Sequence, residues 1–278
     1  MGRFHRHDDG TVHSHDHDEH GHHHDHDHGH AHPHDHDHNH EFGDHSGYES
    51  GRQRIEILED IFAENDHRAA DNRALFSTHN VVAVNLMSGP GAGKTTLLEH
   101  TVKAFEKELG VGIVEGDIET ALDSERLTGH GAQISLLNTG QGFGGECHLD
   151  APMVAHALKG LDLSTLDLVL IENVGNLVCP AEFQVGEHKK AMIATTTEGE
   201  DKPVKYPVMF ASADLVILNK IDLLPYVPFD REKFYEHVRQ VNPDVEVIEV
   251  SAHTGEGVEQ WLDWLRQTVK TVREQEHS

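Results

Sequence analysis

VVAVNLMSGPGAGKTTLLEHTVKAFEKEL, residues 81–109, is the stretch on which the fold turns. Val81–Met87 is a near-continuous apolar run, the pattern of a strand covered on both faces. Glycine-rich Ser88–Gly93 follows, and from Lys94 onward the residues favour a helix. Strand, glycine loop and helix together are the context a phosphate-binding loop requires. Gly89, Gly91, Ala92 and Gly93 let backbone N–H groups close around phosphates, with the positive end of the helix dipole behind them. Lys94 is placed to reach the β- and γ-phosphates. The Thr95 hydroxyl is placed to ligate Mg²⁺, with Thr96 beside it. The strict pattern G-x-x-x-x-G-K-[ST] has Ser88 in place of its first glycine, and Gly89 next door keeps the loop pliable.

Outward from this loop, strand-like runs near 111–115, 133–137, 167–172, 191–196, 214–218 and 246–250 alternate with helix-like runs at 94–109, 151–160, 230–241 and 257–271. Such alternation predicts an α/β domain over 81–278, a P-loop NTPase with a mostly parallel sheet and helices on both faces. The strand VILN runs into Asn219-Lys220-x-Asp222. A carboxylate at Asp222 accepts from N1–H and the 2-amino group of guanine, a donor pair adenine lacks. Asn219 then faces the O6/N7 edge, the Lys220 stem covers the ring, and the Ala252 N–H after Ser251 meets O6. GTP is therefore the expected nucleotide. The strand ending in Glu172 leads to Gly175, the form of a γ-phosphate sensor in which Glu172 holds a Mg²⁺-bound water and Gly175 N–H touches the phosphate. Asp117, in VEGDIET, contacts Mg²⁺ or orients the attacking water; the competing reading makes this segment the start of a helix over 119–127. The expected catalytic group is thus Lys94, Thr95, Asp117 and Glu172.

The chain has two cysteines, Cys147 and Cys179, too few for a disulfide framework and consistent with a reducing cytosol. Cys147 with His148, and Cys179 four residues past Gly175, sit beside switch-like loops. Two thiolates and an imidazole suit Ni²⁺ or Zn²⁺, against the alternative of two unrelated buried cysteines. Residues 46–80 form a linker and a helix, with Ile55, Leu58, Ile61 and Phe62 on one stripe packed on the neighbouring domain.

Residues 1–45 hold eighteen of the 28 histidines. His13, His15, His17, His20, His22, His23, His24, His26, His28, His30, His32, His34, His36, His38 and His40 alternate mostly with Asp, unlike the unbroken run of a purification tag. A tail so poor in apolar residues is expected to be disordered and to bind Ni²⁺ or Zn²⁺. The formal net charge of −27 argues against nucleic acid and anionic membrane as partners. No signal-peptide apolar core and no membrane-length apolar run occurs, so a cytoplasmic protein is expected.

The His-rich N-terminus, SGPGAGKTTLL, VEGDIET, CHLDA, IENVGNLVCPAEF, TEGEDKPVKYP and LNKIDLL together resemble the hydrogenase nickel-incorporation GTPases, the HypB family. The resemblance covers roughly 80–270 and the character of the tail. It implies a cytosolic GTPase that forms a homodimer on binding GTP or metal. Its partners would be a nickel-delivery protein and the large subunit of nickel-iron hydrogenase. The family's G-domain metal ligands map onto Cys147, His148 and Cys179. Two departures stand out. The N-terminal C-x-x-C-G-C motif of many members is absent, and extra residues around Phe143–Glu146 precede Cys147, with Pro152 where a His is usual. A urease-type nickel GTPase carries a Cys-Pro-His site, which this chain lacks. A storage protein acting through the tail, with a regulatory G domain, is the rival of another class. A chaperone of a B12-type enzyme explains neither the tail nor the cysteines.

Overall fold

The structure, a computed structural model, describes residues 5–6, 12–13, 47–117, 127, 130–138 and 148–277. The expectations of a disordered tail, of metal binding by His15–His40 and, but for Leu127, of a helix over 119–127 lie outside the described residues. His13 is described only as backbone, paired with His5 in a two-residue ladder. The chain divides between Ser46 and Gly47, and the second unit, Gly47–Ser278, carries the sheet and its helices.

Among the described residues, seven strands form one parallel sheet. They are β1 (Val82–Ser88), β2 (Val111–Asp117), β3 (Gln133–Asn138), β4 (Leu168–Glu172), β5 (Lys189–Thr195), β6 (Leu215–Asn219) and β7 (Glu246–Glu249). Their order across the sheet is β3-β2-β4-β1-β5-β6-β7. The glycine-loop strand β1 is therefore central, flanked by β4 and β5, and the loop after it opens at the carboxyl ends of the strands, where α/β sheets bind ligands.

Alternation along β1 serves three buried clusters on its two faces. Val82, Val84 and Leu86 join Leu97, Phe105, Trp261 and Leu265 on one face, under helices α2 (Lys94–Phe105) and α8 (Val258–Glu276). Ala83 joins the opposite core with α3 (Ala151–Leu158) and α1 (Gly47–His79). Met87 joins Phe210, Phe234 and Val238 from α6 (Pro207–Ala211) and α7 (Arg231–Val241). Short helices α4 (Cys179–Glu182) and α5 (Lys202–Lys205) lie in the loops. Helix α1 is longer than the stripe read from the sequence. Asn65, Ala69, Asn72 and Phe76, spaced one helical face apart, are its buried side. Asn72 Nδ2 donates to the carbonyls of Ala151 and Val185, and Asn65 Oδ1 accepts from Ala151 N–H, so α1 satisfies the start of α3. Pro152 sits in the first turn of α3, where a missing N–H costs nothing, behind the Asp150 cap. Among the described residues, no helix is long and apolar enough to cross a membrane.

Candidate functional site

A cleft of about 400 Å³ lies at the carboxyl ends of β1, β2 and β4, lined by Pro90–Thr96, Glu115–Gly116 and Glu172–Gly175. Gly91 and Gly93 carry φ of 66° and 93°, the left-handed region glycine enters without penalty. Gly93 caps α2 with no side-chain bond to the helix, which leaves backbone N–H groups of the first turn for an anion. Lys94 Nζ donates to Ser88 Oγ at 2.8 Å. The residue that breaks the strict motif thus serves as a hydrogen-bond partner for the phosphate-loop lysine. Thr95 Oγ1 donates to Glu172 Oε1 at 3.1 Å, bringing the expected Mg²⁺ ligand and the switch carboxylate together.

Glu115, 2% exposed, joins the site although no motif marks it. It pairs in register with Glu172 across β2 and β4, so two buried carboxylates stand side by side at the cleft floor. A charged residue two positions after Ile113, directly behind the apolar start of the strand, is the signal the sequence offers. Asp117 ends β2, and its carboxylate lies outside what the structure describes. On the outer side of the loop, a Cβ at Gly89 would lie 2.5 Å from Glu198 Oε1. Glu198 Oε2 accepts from the Thr195 N–H and hydroxyl.

The second cluster is stitched to the first. Asn219 Nδ2 donates to Ala92 O at 2.8 Å, and Lys220 Nζ donates to Gly91 O at 2.8 Å. Asn219 Oδ1 accepts from Lys220 N–H and Ala252 N–H. The sequence alone assigns Asn219, 1% exposed, and the Ala252 amide to a guanine edge. In the structure they bond each other, because a buried amide donor must be satisfied. Asn219 is a tether between the two loops. Asp222 Oδ1 accepts from Ser251 Oγ at 2.6 Å, which orients the carboxylate at the edge of the cluster.

The switch loop meets the phosphate loop backbone to backbone: a Cβ at Gly175 would lie 2.8 Å from Pro90 Cα. Beyond it, Cys179 opens α4 and is half-buried. His148 is buried, its ring 4.2 Å from that of Phe183, the residue that closes α4; Phe183 in turn stacks on Phe62 of α1. Cys179 and Phe183, the residue that contacts His148, thus stand at the two ends of α4. Cys147 lies outside the described residues. Among the described residues no three His, Cys, Asp or Glu side chains form a metal-binding group.

The family model described as CobW/HypB/UreG, nucleotide-binding domain, matches residues 82–249. The chain is 46% identical over 225 residues to hydrogenase maturation factor HypB of Escherichia coli K12, covering 81% of this chain and 76% of that one. The crystal structure of HypB from Archaeoglobus fulgidus superposes with a TM-score of 0.69 at 40% identity, covering 74% of this chain and 99% of the other. HypB from Helicobacter pylori, solved in complex with nickel, gives 0.69 at 32% identity, over 76% and 97%.

Proposed function

This chain belongs to the CobW/HypB/UreG family, as a HypB-type GTPase, and from that premise we propose that it hydrolyses GTP to bind nickel and hand it on during maturation of nickel-iron hydrogenase. The observation that carries the nucleotide half is the single cleft that joins Lys94, Thr95 and Glu172, tethered through Asn219 and Lys220 to Asp222. In this reading Gly91, Ala92, Gly93 and Thr96 wrap the phosphates and Lys94 leaves Ser88 for the β- and γ-oxygens. Asp222 reads guanine. Thr95 and Glu172 are hard oxygen donors that would hold Mg²⁺, with Glu115 beside them, and the ion would supply neutralisation of phosphate charge. Among the described residues no arginine lines the cleft, and unassisted turnover is slow.

Nickel is the cargo. Its G-domain ligands are Cys147, His148 and Cys179, and three ligands leave room for water or for a group from a second chain, which favours a homodimer. Zn²⁺ suits the same donors. The tail histidines add reversible storage, and a nickel-delivery protein and the hydrogenase large subunit are the partners, in the cytoplasm.

Competition titration tests the nucleotide half. GTP displaces a fluorescent GDP analogue on the order of 10³-fold more effectively than ATP, because a site built around donors rejects a base lacking them. Asp222→Asn moves preference toward xanthine. Equal displacement by ATP and GTP refutes the reading. Acidification through about pH 6 releases tail-bound nickel as imidazoles protonate. Nickel retained unchanged at about pH 5 removes the tail from the account.

A further inference from the structure

The loop that follows β7 uses nearly all of its backbone donors on its own fold. Ser251 N–H donates to Glu256 O, Thr254 N–H to Ser251 Oγ, Gly255 N–H to Ser251 O and Glu256 N–H to Thr254 Oγ1. Ala252 N–H donates to Asn219 Oδ1 at 3.0 Å. From 251 to 256, the N–H left without an acceptor among the described residues is that of His253. The peptide that carries this spare donor is held from its other side. Ala252 is buried, and its carbonyl lies 2.8 Å from His100 Nε2. A carbonyl only accepts, so Nε2 bears the proton and donates. His100 is half-buried on α2, about 9 Å along the helix from Lys94, and does not line the nucleotide cleft. Gly255, with φ of 85°, turns the same loop round to the ring: a Cβ there would lie 4.0 Å from His100 Cε1. The next residue on α2, Thr101, accepts at Oγ1 from the buried Trp261 Nε1–H at 2.9 Å, so the helix has a seat that does not depend on His100.

We propose that His100 is a specificity-determining positioning residue: by holding Ala252 O it aims the His253 N–H at the oxygen on C6 of the bound guanine. The proposal rests on the reading of the cleft as a guanine-nucleotide site. In a trans peptide the C=O and the N–H of the following residue point in opposite directions. With Ala252 O turned to α2, the His253 N–H is turned away from that helix, toward the exposed side of the loop. Ser251 Oγ donates to Asp222 Oδ1 at 2.6 Å, which fixes the loop beside the base-reading carboxylate. Asp222 takes N1–H and the 2-amino group; the adjoining edge of guanine is the C6 carbonyl, which needs a donor. Ala252 N–H is committed to Asn219, and His253 N–H is the donor available. Adenine has an amino group at C6 and sets donor against donor, so the same N–H that accepts guanine rejects adenine. That rejection is as sharp as the peptide is fixed. Released from His100, the 252–253 peptide turns about its flanking bonds and the N–H loses its direction. One helix thereby sets the phosphate lysine at its start and the base donor from its middle.

The test uses the full chain and three nucleotides that displace a fluorescent GDP analogue. They are GTP, 6-thio-GTP, in which a weak sulfur acceptor replaces the C6 oxygen, and ITP, which lacks the 2-amino group. In the wild type GTP outcompetes both, and 6-thio-GTP by about 2–10-fold, the range of one neutral hydrogen bond. His100→Ala brings GTP and 6-thio-GTP to near parity. It leaves the GTP-to-ITP ratio as it was, because Ser251 still holds Asp222. His100→Gln, whose amide nitrogen stands where the imidazole Nε2 does and donates in the same way, restores the 6-thio-GTP ratio. General loosening of the loop would lower both ratios and would not respond to the atom at one position. If His100→Ala does not fold, His100→Phe keeps a ring without the donor and carries the same expectation. A 6-thio-GTP ratio unchanged in His100→Ala or His100→Phe, or lost together with the ITP ratio, overturns the role of His100 and leaves the guanine site standing. Parity of GTP and 6-thio-GTP in the wild type, with ITP still rejected, overturns His253 as the donor and the proposal with it. Parity of all three in the wild type overturns the guanine reading itself.

Discussion

At the carboxyl ends of the strands the backbone is spent on glycine turns, and Lys94, Thr95, Glu115 and Glu172 surround an open cleft. At the amino ends the same strands are closed off. Ala83 N–H donates to His188 Nδ1, Lys189 and the Lys190 N–H hold Asp214, and Arg273 grips both Asn80 O and Asp167. Gly110 N–H donates to the other oxygen of Asp167, and Arg73 of α1 donates to Gly186 O. Apart from the two arginines, which reach in from α1 and α8, each of these groups stands at or just before the start of a strand, where it satisfies backbone or fixes an incoming helix. One end of the sheet keeps donors and acceptors available for a ligand; the other uses them to fasten α1 and α8. A substitution at the first end is expected to change chemistry and spare stability, and one at the second end to do the reverse.

The sharpest contrast comes from Lys94→Ala. Removing this cation from the cleft strips charge from the transition state, and GTP hydrolysis falls by about 100-fold or more, as when an oxyanion donor is deleted. The thermal midpoint stays close to that of the wild type, since the ammonium bonds Ser88 Oγ, a hydroxyl at the start of the same loop. A midpoint that collapses with activity erases the division between the two ends. Asn72→Ala is the opposite case. It orphans the buried carbonyls of Ala151 and Val185, at a cost of about 1–3 kcal/mol, while GTP affinity is unaltered. Chemical denaturation and a nucleotide titration on one preparation decide it: loss of GTP affinity with unchanged stability makes α1 part of the site.

The two ends also differ in how far the sequence alone reveals them. Ser88–Thr96, Glu172–Gly175 and Asn219–Asp222 are legible because a phosphate, a guanine and a tight turn each demand particular residues at local spacing. All seven strands are legible from apolar runs. Glu198 on Gly89, Asn173 on Leu149 and Phe183 between His148 and Phe62 are not, because each partner is distant in sequence and no spacing rule connects them. Helix α1 is legible only in part. Its buried face alternates Asn with Ala and Phe, and asparagines that bond another segment's carbonyls look in the sequence like a solvated side. The tethering bonds of Asn219 to Ala92 O and the Ala252 N–H are of the same kind, since no spacing rule connects position 219 with 92 or 252.

The smallest expected effect, and the finest test of the amino-end fastening, is a pH dependence at His188. The ring is buried between the start of β5 and α8: Nδ1 accepts from Ala83 N–H at 2.9 Å and Nε2 faces Glu276 Oε1 at 3.2 Å, with Phe76 and Arg73 of α1 beside it. Burial, and then the Arg73 charge, push the imidazole below its ordinary range; Glu276 pulls the other way without prevailing. A proton on Nδ1 also opposes the Ala83 donor head on. The folded ring is therefore neutral where the unfolded one, with a pKa of about 6.5, begins to charge. Below that value the unfolded state binds the extra proton, so stability falls as pH drops from about 6.5 through the depressed folded value, and levels off beneath it. One proton allows a slope of at most about 1.4 kcal/mol per pH unit. His188→Gln cannot titrate, so its stability between about pH 7 and 5 declines less steeply than that of the wild type, while GTP binding at neutral pH is the same in both. Parallel stability curves would mean that the ring accepts its proton without cost. The fastening of α1 and α8 at this end would then rest on Arg73 and Arg273 rather than on a neutral histidine.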